Sequence, residues 1–99
     1  MPEMQFRIRW PDGSEDLCYS PSLVIEEHLV VGSTYRLDDF MARTRTALNI
    51  ASDRVRQRYG FPCSRAIGQL AEIERRATAY KSRPDAEMTV LAFHRNVNG

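Results

Sequence analysis

The feature that most constrains this fold is a strict two-residue alternation over residues 4–10 that runs directly into a turn sequence. Met4, Phe6, Ile8 and Trp10 fall on one side and Gln5, Arg7 and Arg9 on the other, the period of a strand with one packed face and one open face. Pro11 fixes φ for a turn, and Asp12-Gly13 accept the left-handed backbone that a tight connection demands. Residues 14–19 are therefore predicted to return as the antiparallel partner in a β-hairpin.

Ser20-Pro21-Ser22 closes that second strand, because Pro21 has no amide for the ladder, and Ser20 or Ser22 is placed to cap a short helix through Leu23, Val24 and His28. Gly32-Ser33 breaks the chain again. Behind Asp38-Asp39, whose charges suit a helix N-terminus, Leu37, Phe40, Met41, Thr44, Ala47 and Leu48 recur at helical spacing. This helix is predicted to end near Asn49 and a new one to start at Ser52-Asp53, with an uninterrupted helix to Arg58 as the alternative. Gly60-Phe61-Pro62 stops it in either case. Ser64 is placed to cap a last helix whose Ala66, Leu70, Ile73, Ala77 and Tyr80 form one apolar stripe. Residues 88–93, apolar on both faces apart from Thr89, read as an interior strand. The sum is an α+β fold: an N-terminal β-hairpin, three or so helices over the Phe6/Ile8 face, and a C-terminal strand completing a small three-stranded sheet. It is read as one domain over 1–99 with a frayed tail at 95–99.

A chain of 99 residues supplies one core. No apolar run approaches the ~20 residues that span a bilayer, and Met1-Pro2-Glu3-Met4 opens without a basic segment and apolar run. A cytoplasmic protein with no membrane partner is expected. Cys18 and Cys63 are the only cysteines; neither has the spacing of a zinc site or redox pair, so two reduced thiols are expected and no metal or cofactor is called for. The formal net charge is +1, and Lys81 is the sole lysine among 14 basic residues, a balance without a nucleic-acid footprint. Arg43, Arg45, Arg54, Arg56 and Arg58 do make the middle helices locally basic, and a break at Asn49 would resemble a helix-turn-helix. These arginines spread over several helix faces and Asp38, Asp39 and Asp53 offset them, which argues against nucleic acid and for a partner-binding surface, where arginine is enriched.

Cys63-Ser64-Arg65 is the most suggestive cluster, since a thiol just before a helix N-terminus and near an arginine feels positive potential that favours thiolate. The alternative is that Cys63 follows Phe61-Pro62 into the core as a small hydrophobe. Cys18-Tyr19-Ser20-Pro21-Ser22 joins a thiol, a phenol and two hydroxyls at a strand end; alternation sends Cys18 and Tyr19 to opposite faces, so one set is core and the other is not. Glu26-Glu27-His28 contains metal-ligand types, but adjacent helical residues diverge and a solvated face explains them. His94 would need a carboxylate to act as a general base and otherwise reads as an exposed strand end.

Residues 4–13 (Met-Gln-Phe-Arg-Ile-Arg-Trp-Pro-Asp-Gly), Cys18-Tyr19-Ser20-Pro21-Ser22 and Tyr59-Gly60-Phe61-Pro62-Cys63-Ser64-Arg65-Ala66 together resemble the small nitrogen-starvation-response protein family. The resemblance extends over nearly the whole chain to Thr89-Val90-Leu91-Ala92-Phe93. It implies a bacterial gene cluster holding a nitrilase, a radical S-adenosylmethionine enzyme, an acetyltransferase-like protein and a flavin-dependent oxidoreductase, a setting of nitrile or cyanide nitrogen metabolism. It carries over no catalytic residue. With no recognisable acid/base or metal constellation, the expected role is a non-catalytic accessory or partner-docking protein using the Arg7/Arg9 face. A small-ligand or thiol-dependent function at Cys18 or Cys63 and a nitrogen-status regulator stand as alternatives, with Arg7, Arg9, Cys18, Tyr19, Ser20, Cys63, Ser64 and Arg65 as candidate site residues. The expected partner is an enzyme of the same cluster, and the sheet edges leave room for a homo-oligomer.

Overall fold

The alternating segment forms β1 (Glu3–Arg9) and the return segment forms β2 (Glu15–Ser20), paired antiparallel in a computed structural model that describes residues 2–96. The turn between them is fixed by its own side chains. Gly13 takes φ +90°, Asp12 Oδ1 accepts the Ser14 amide at 2.9 Å and the Ser14 hydroxyl at 2.6 Å, and the Trp10 amide donates to the Ser14 carbonyl at 2.7 Å. A side chain at position 13 would strain that backbone, so the glycine is required by conformation.

The sheet has four strands rather than the expected three, in the order β2-β1-β4-β3. The added strand, β3 (Thr34–Arg36), is three residues long and pairs antiparallel with the start of β4 (Glu87–Asn96). Three residues carry too little periodicity to register as a strand. As expected, β4 is interior, paired with β1 on one side and β3 on the other. Its two-sided apolar character has a specific cause. Arg7 pairs with Ala92 but Ile8 pairs with Val90, so Leu91 is an extra residue at a bulge. The bulge reverses the alternation: Met88 and Val90 point to the core before it, and Phe93, opposite Phe6, does so after it. Arg95 and Asn96, assigned from sequence to the tail, are the last positions of β4; the rest of that tail, 97–99, lies outside the described residues.

Three helices cover the Phe6/Ile8 face: α1 (Ile25–His28), α2 (Leu37–Tyr59) and α3 (Ser64–Ala77), the last continued by a single 3-10 turn at Thr78–Tyr80. The predicted break at Asn49 does not occur. Leu37, Phe40, Met41, Thr44, Ala47, Leu48, Ala51 and Ser52 are buried along one unbroken stripe, and that burial outweighs the few tenths of a kcal/mol by which Asn disfavours a helix. The helix-turn-helix arrangement is thereby removed. At the other end, α2 closes on Gly60 at φ +87°, whose amide donates to the Arg56 carbonyl at 2.8 Å.

Helix starts are handled differently from expectation. Cys63, not Ser64, is the N-cap of α3, and neither side chain caps it; Ser64 is the first helical residue. The Leu37 and Asp38 amides at the start of α2 donate to the carbonyls of Ala86 (2.7 Å) and Pro84 (3.1 Å), so a distant loop satisfies donors that have no partner within the helix. At the outer edge of β2 the Tyr19 amide donates to Gln69 Oε1 of α3 at 2.9 Å, which occupies one donor of an edge otherwise open to further strand pairing. Among the described residues, no helix is long and apolar enough to cross a membrane.

Candidate functional site

The pairing register assembles a row across the open face of the sheet. Tyr19 of β2 lies opposite Gln5 of β1, and Gln5 lies opposite His94 of β4, so all three side chains leave the same face, away from the helices. Glu3 stands two residues before Gln5 on that face. The first turn of α3 brings Arg65 over the edge of β2, its guanidinium carbon 3.8 Å from the centre of the Tyr19 ring. These residues, with Met4 and Arg95, line a polar cleft of about 340 Å³. A smaller hollow of about 190 Å³ adjoins it, sharing Glu3 and Tyr19 and bounded by Pro21, Val55, Tyr59 and Cys63.

Three of the residues singled out from sequence therefore converge: Tyr19, Cys63 and Arg65, with Ser64 beside them. The Tyr19 phenol is pushed up to about 12, chiefly by burial and then by the neighbouring Glu3 carboxylate and Cys63 thiol, with Arg65 opposing. It is thus a neutral hydroxyl at physiological pH, able both to donate and to accept a hydrogen bond. Arg95 is bound to Glu26 of α1 through two hydrogen bonds of 2.9 and 2.6 Å, which also hold the Glu26 carboxyl below its usual range.

The other candidates go elsewhere. Cys18 is in the core at 1 % exposure, its thiol pushed up to about 12 by burial first and by Asp16 second, so its chemistry is that of a small hydrophobe. Ser20 is buried, its hydroxyl donating to the Ser22 carbonyl at 2.7 Å. Arg7 and Arg9 share the open face but both approach Glu15, at 3.8 and 3.3 Å, nearer the hairpin turn than the cleft. Of the rejected metal-ligand run, Glu26 is taken by Arg95, Glu27 lies 4.0 Å from Arg54, and His28 Nδ1 sits 3.2 Å from the Val24 carbonyl oxygen. Glu3, Gln5 and His94, which stand outside the candidate residues that the sequence offers, join the cleft. Their common parity on β1 and β4 was the available signal, and the bulge at Leu91 hid it for His94.

A family model described as nitrogen starvation-induced protein NitG matches residues 5–93. The chain belongs to the NitG family. The NitG match includes Gln5, Tyr19, Cys63 and Arg65 and stops just short of Glu3 and His94, so most of the cleft, including its stacked arginine, lies within the family's span. It makes this a nitrogen-starvation-related protein. No curated protein and no solved structure matches the chain.

Proposed function

We propose that this NitG-family protein is a non-catalytic accessory that docks on an enzyme of nitrogen-limitation metabolism through the turn between α2 and α3. One observation carries the reading: Tyr59, Phe61 and Ile67 are 55 %, 66 % and 52 % exposed at that one end of the molecule. They are three of the six large apolar side chains exposed among the described residues, the others being Leu17, Val30 and Val31, and they include both exposed aromatic ones; exposed apolar side chains grouped on a small domain mark interaction surfaces. Arg58 stands over the Tyr59 ring at 5.8 Å, and among the described residues it has no carboxylate within 4.0 Å. Exposed aromatic residues beside an unpaired arginine are the composition of interface hot spots. The fitting partner presents an apolar groove bordered by carboxylates.

In the gene-cluster setting that the resemblance implies, the nitrilase and the oxidoreductase are the first partners to test, in nitrile or cyanide nitrogen use. Tagged protein purified from nitrogen-limited cells is expected to retain one cluster-encoded enzyme, identified by mass spectrometry. Phe61→Ser combined with Tyr59→Ser should reduce that retention by about tenfold or more, since truncating a hot spot typically costs 2 kcal/mol or more. Absence of every cluster-encoded enzyme from the wild-type eluate, or equal retention by the double variant, would overturn the proposal.

A further inference from the structure

Within the Tyr19 cleft, one cation and one anion remain uncommitted. Arg65 has no carboxylate within 4.0 Å and Glu3 no cation within 4.0 Å among the described residues, although both line the same 340 Å³ space. The other cleft arginine, Arg95, is occupied by Glu26. Arg65 is also held in place without spending its donors. At 3.8 Å from the Tyr19 ring centre, the guanidinium is gripped through its face, and its N–H groups, which make none of the side-chain hydrogen bonds among the described residues, stay available for a two-oxygen acceptor. Gln5 and His94, which line the same cleft, can each donate or accept.

We propose that this cleft binds a free α-amino acid with an apolar side chain, its carboxylate on the Arg65 guanidinium, its ammonium group on the Glu3 carboxylate and its side chain in the adjoining hollow. A ligand of single charge leaves one of these two cleft charges unmatched, whereas a zwitterion matches both. The cleft falls within the usual size of small-ligand sites, about 300–1,000 Å³. The 190 Å³ hollow that shares Glu3 and Tyr19 is walled by Pro21, Val55 and Tyr59, an apolar seat for the side chain. The hollow shares Tyr59 with the docking surface at the α2–α3 turn, so amino-acid binding is read on the isolated chain, where loss of partner docking cannot mimic loss of the ligand.

The test is an NMR titration of the ¹⁵N-labelled full chain, without any partner, with L-leucine, isocaproate and isoamylamine. The last two are leucine lacking its ammonium group and its carboxylate, respectively. L-leucine is expected to give saturable shifts at the amides of Gln5, Tyr19 and His94, with each single-charge analogue at least about tenfold weaker, the scale of one charge-assisted hydrogen-bonded pair. Arg65→Gln should erase the advantage of L-leucine over isoamylamine, and Glu3→Gln its advantage over isocaproate. Both are surface substitutions whose folding is checked in the same spectra. No saturable shift up to about 20 mM L-leucine, isocaproate binding as well as L-leucine, or variants that leave the affinity unchanged would each overturn the assignment.

Discussion

Cys18 and Tyr19 are neighbours in sequence and occupy opposite sides of the sheet, and their chemistry separates accordingly. The buried Cys18 thiol and the Tyr19 phenol both stand at about 12, above the ordinary 9.0 and 10.0. Raised values in the folded state mean that stability is complete below the ordinary pKa and is lost as pH rises toward the folded value. The urea midpoint should therefore hold up to pH 9.0 and fall progressively between there and 12, and Cys18→Val should blunt the fall; a midpoint flat across that window would contradict it. Iodoacetamide at neutral pH should label Cys63, which is partly exposed, and spare Cys18 until the chain is unfolded, a pattern that peptide mapping resolves. Thr44 is a different case: its hydroxyl is buried in α2 with no hydrogen-bond partner among the described residues. Thr44→Val keeps the shape and removes the orphan, so the protein should gain about 1 kcal/mol in denaturant unfolding.

At the scale of elements, the hairpin is joined to α3 by one cluster. Arg76 donates to Asp16 at 2.6 Å and to the Ser14 hydroxyl at 2.8 Å and stands 4.8 Å over the Trp10 ring, while Trp10 Nε1 donates to Asp16 at 2.8 Å. Trp10 also stacks on Tyr80, 6.0 Å between ring centres. Arg76→Ala is expected to destabilise by about 2 kcal/mol, the range of hydrogen bonds to charged groups; a loss near zero would show that the turn and the helix hold without the cluster. Gly60 tests the α2 stop. A Cβ there meets nothing within 4 Å, yet φ is +87°, so Gly60→Ala should cost about 1–2 kcal/mol from backbone conformation alone. The helix signals in the sequence were correct in their apolar stripes and weaker at their ends, because the start of α2 is capped by carbonyls of residues 84–86 that no local pattern announces.

On the scale of the whole molecule, the two terminal strands are the central ones. β1 and β4 pair along Glu3–Asn96 to Arg9–Thr89, and among the described residues β3 pairs only with β4. A chain ended at Asp85 would lose the middle of the sheet and the carbonyl of Ala86 that serves α2. It should show no cooperative thermal transition by circular dichroism, because the hairpin is left without its central neighbour and the shared core loses Met88, Val90 and the packed Phe93. Retention of a sharp transition would mean that the helical layer and hairpin are self-sufficient.

Residue order by itself determined the hairpin, its buried and open faces, the stop at Gly60 and the interior character of the last strand, since each depends on side-chain period and local φ preferences over a few residues. Tertiary structure alone decided that α2 runs through Asn49, that a three-residue β3 exists, and that a bulge at Leu91 changes which side of β4 faces the core. It also decided the site. Tyr19 and Arg65 were named from two distant segments, but only strand register and the docking of α3 on the β2 edge bring them together with Glu3, Gln5 and His94. Alternation gives each residue a face, whereas position along and across that face comes from pairing between strands far apart in the chain.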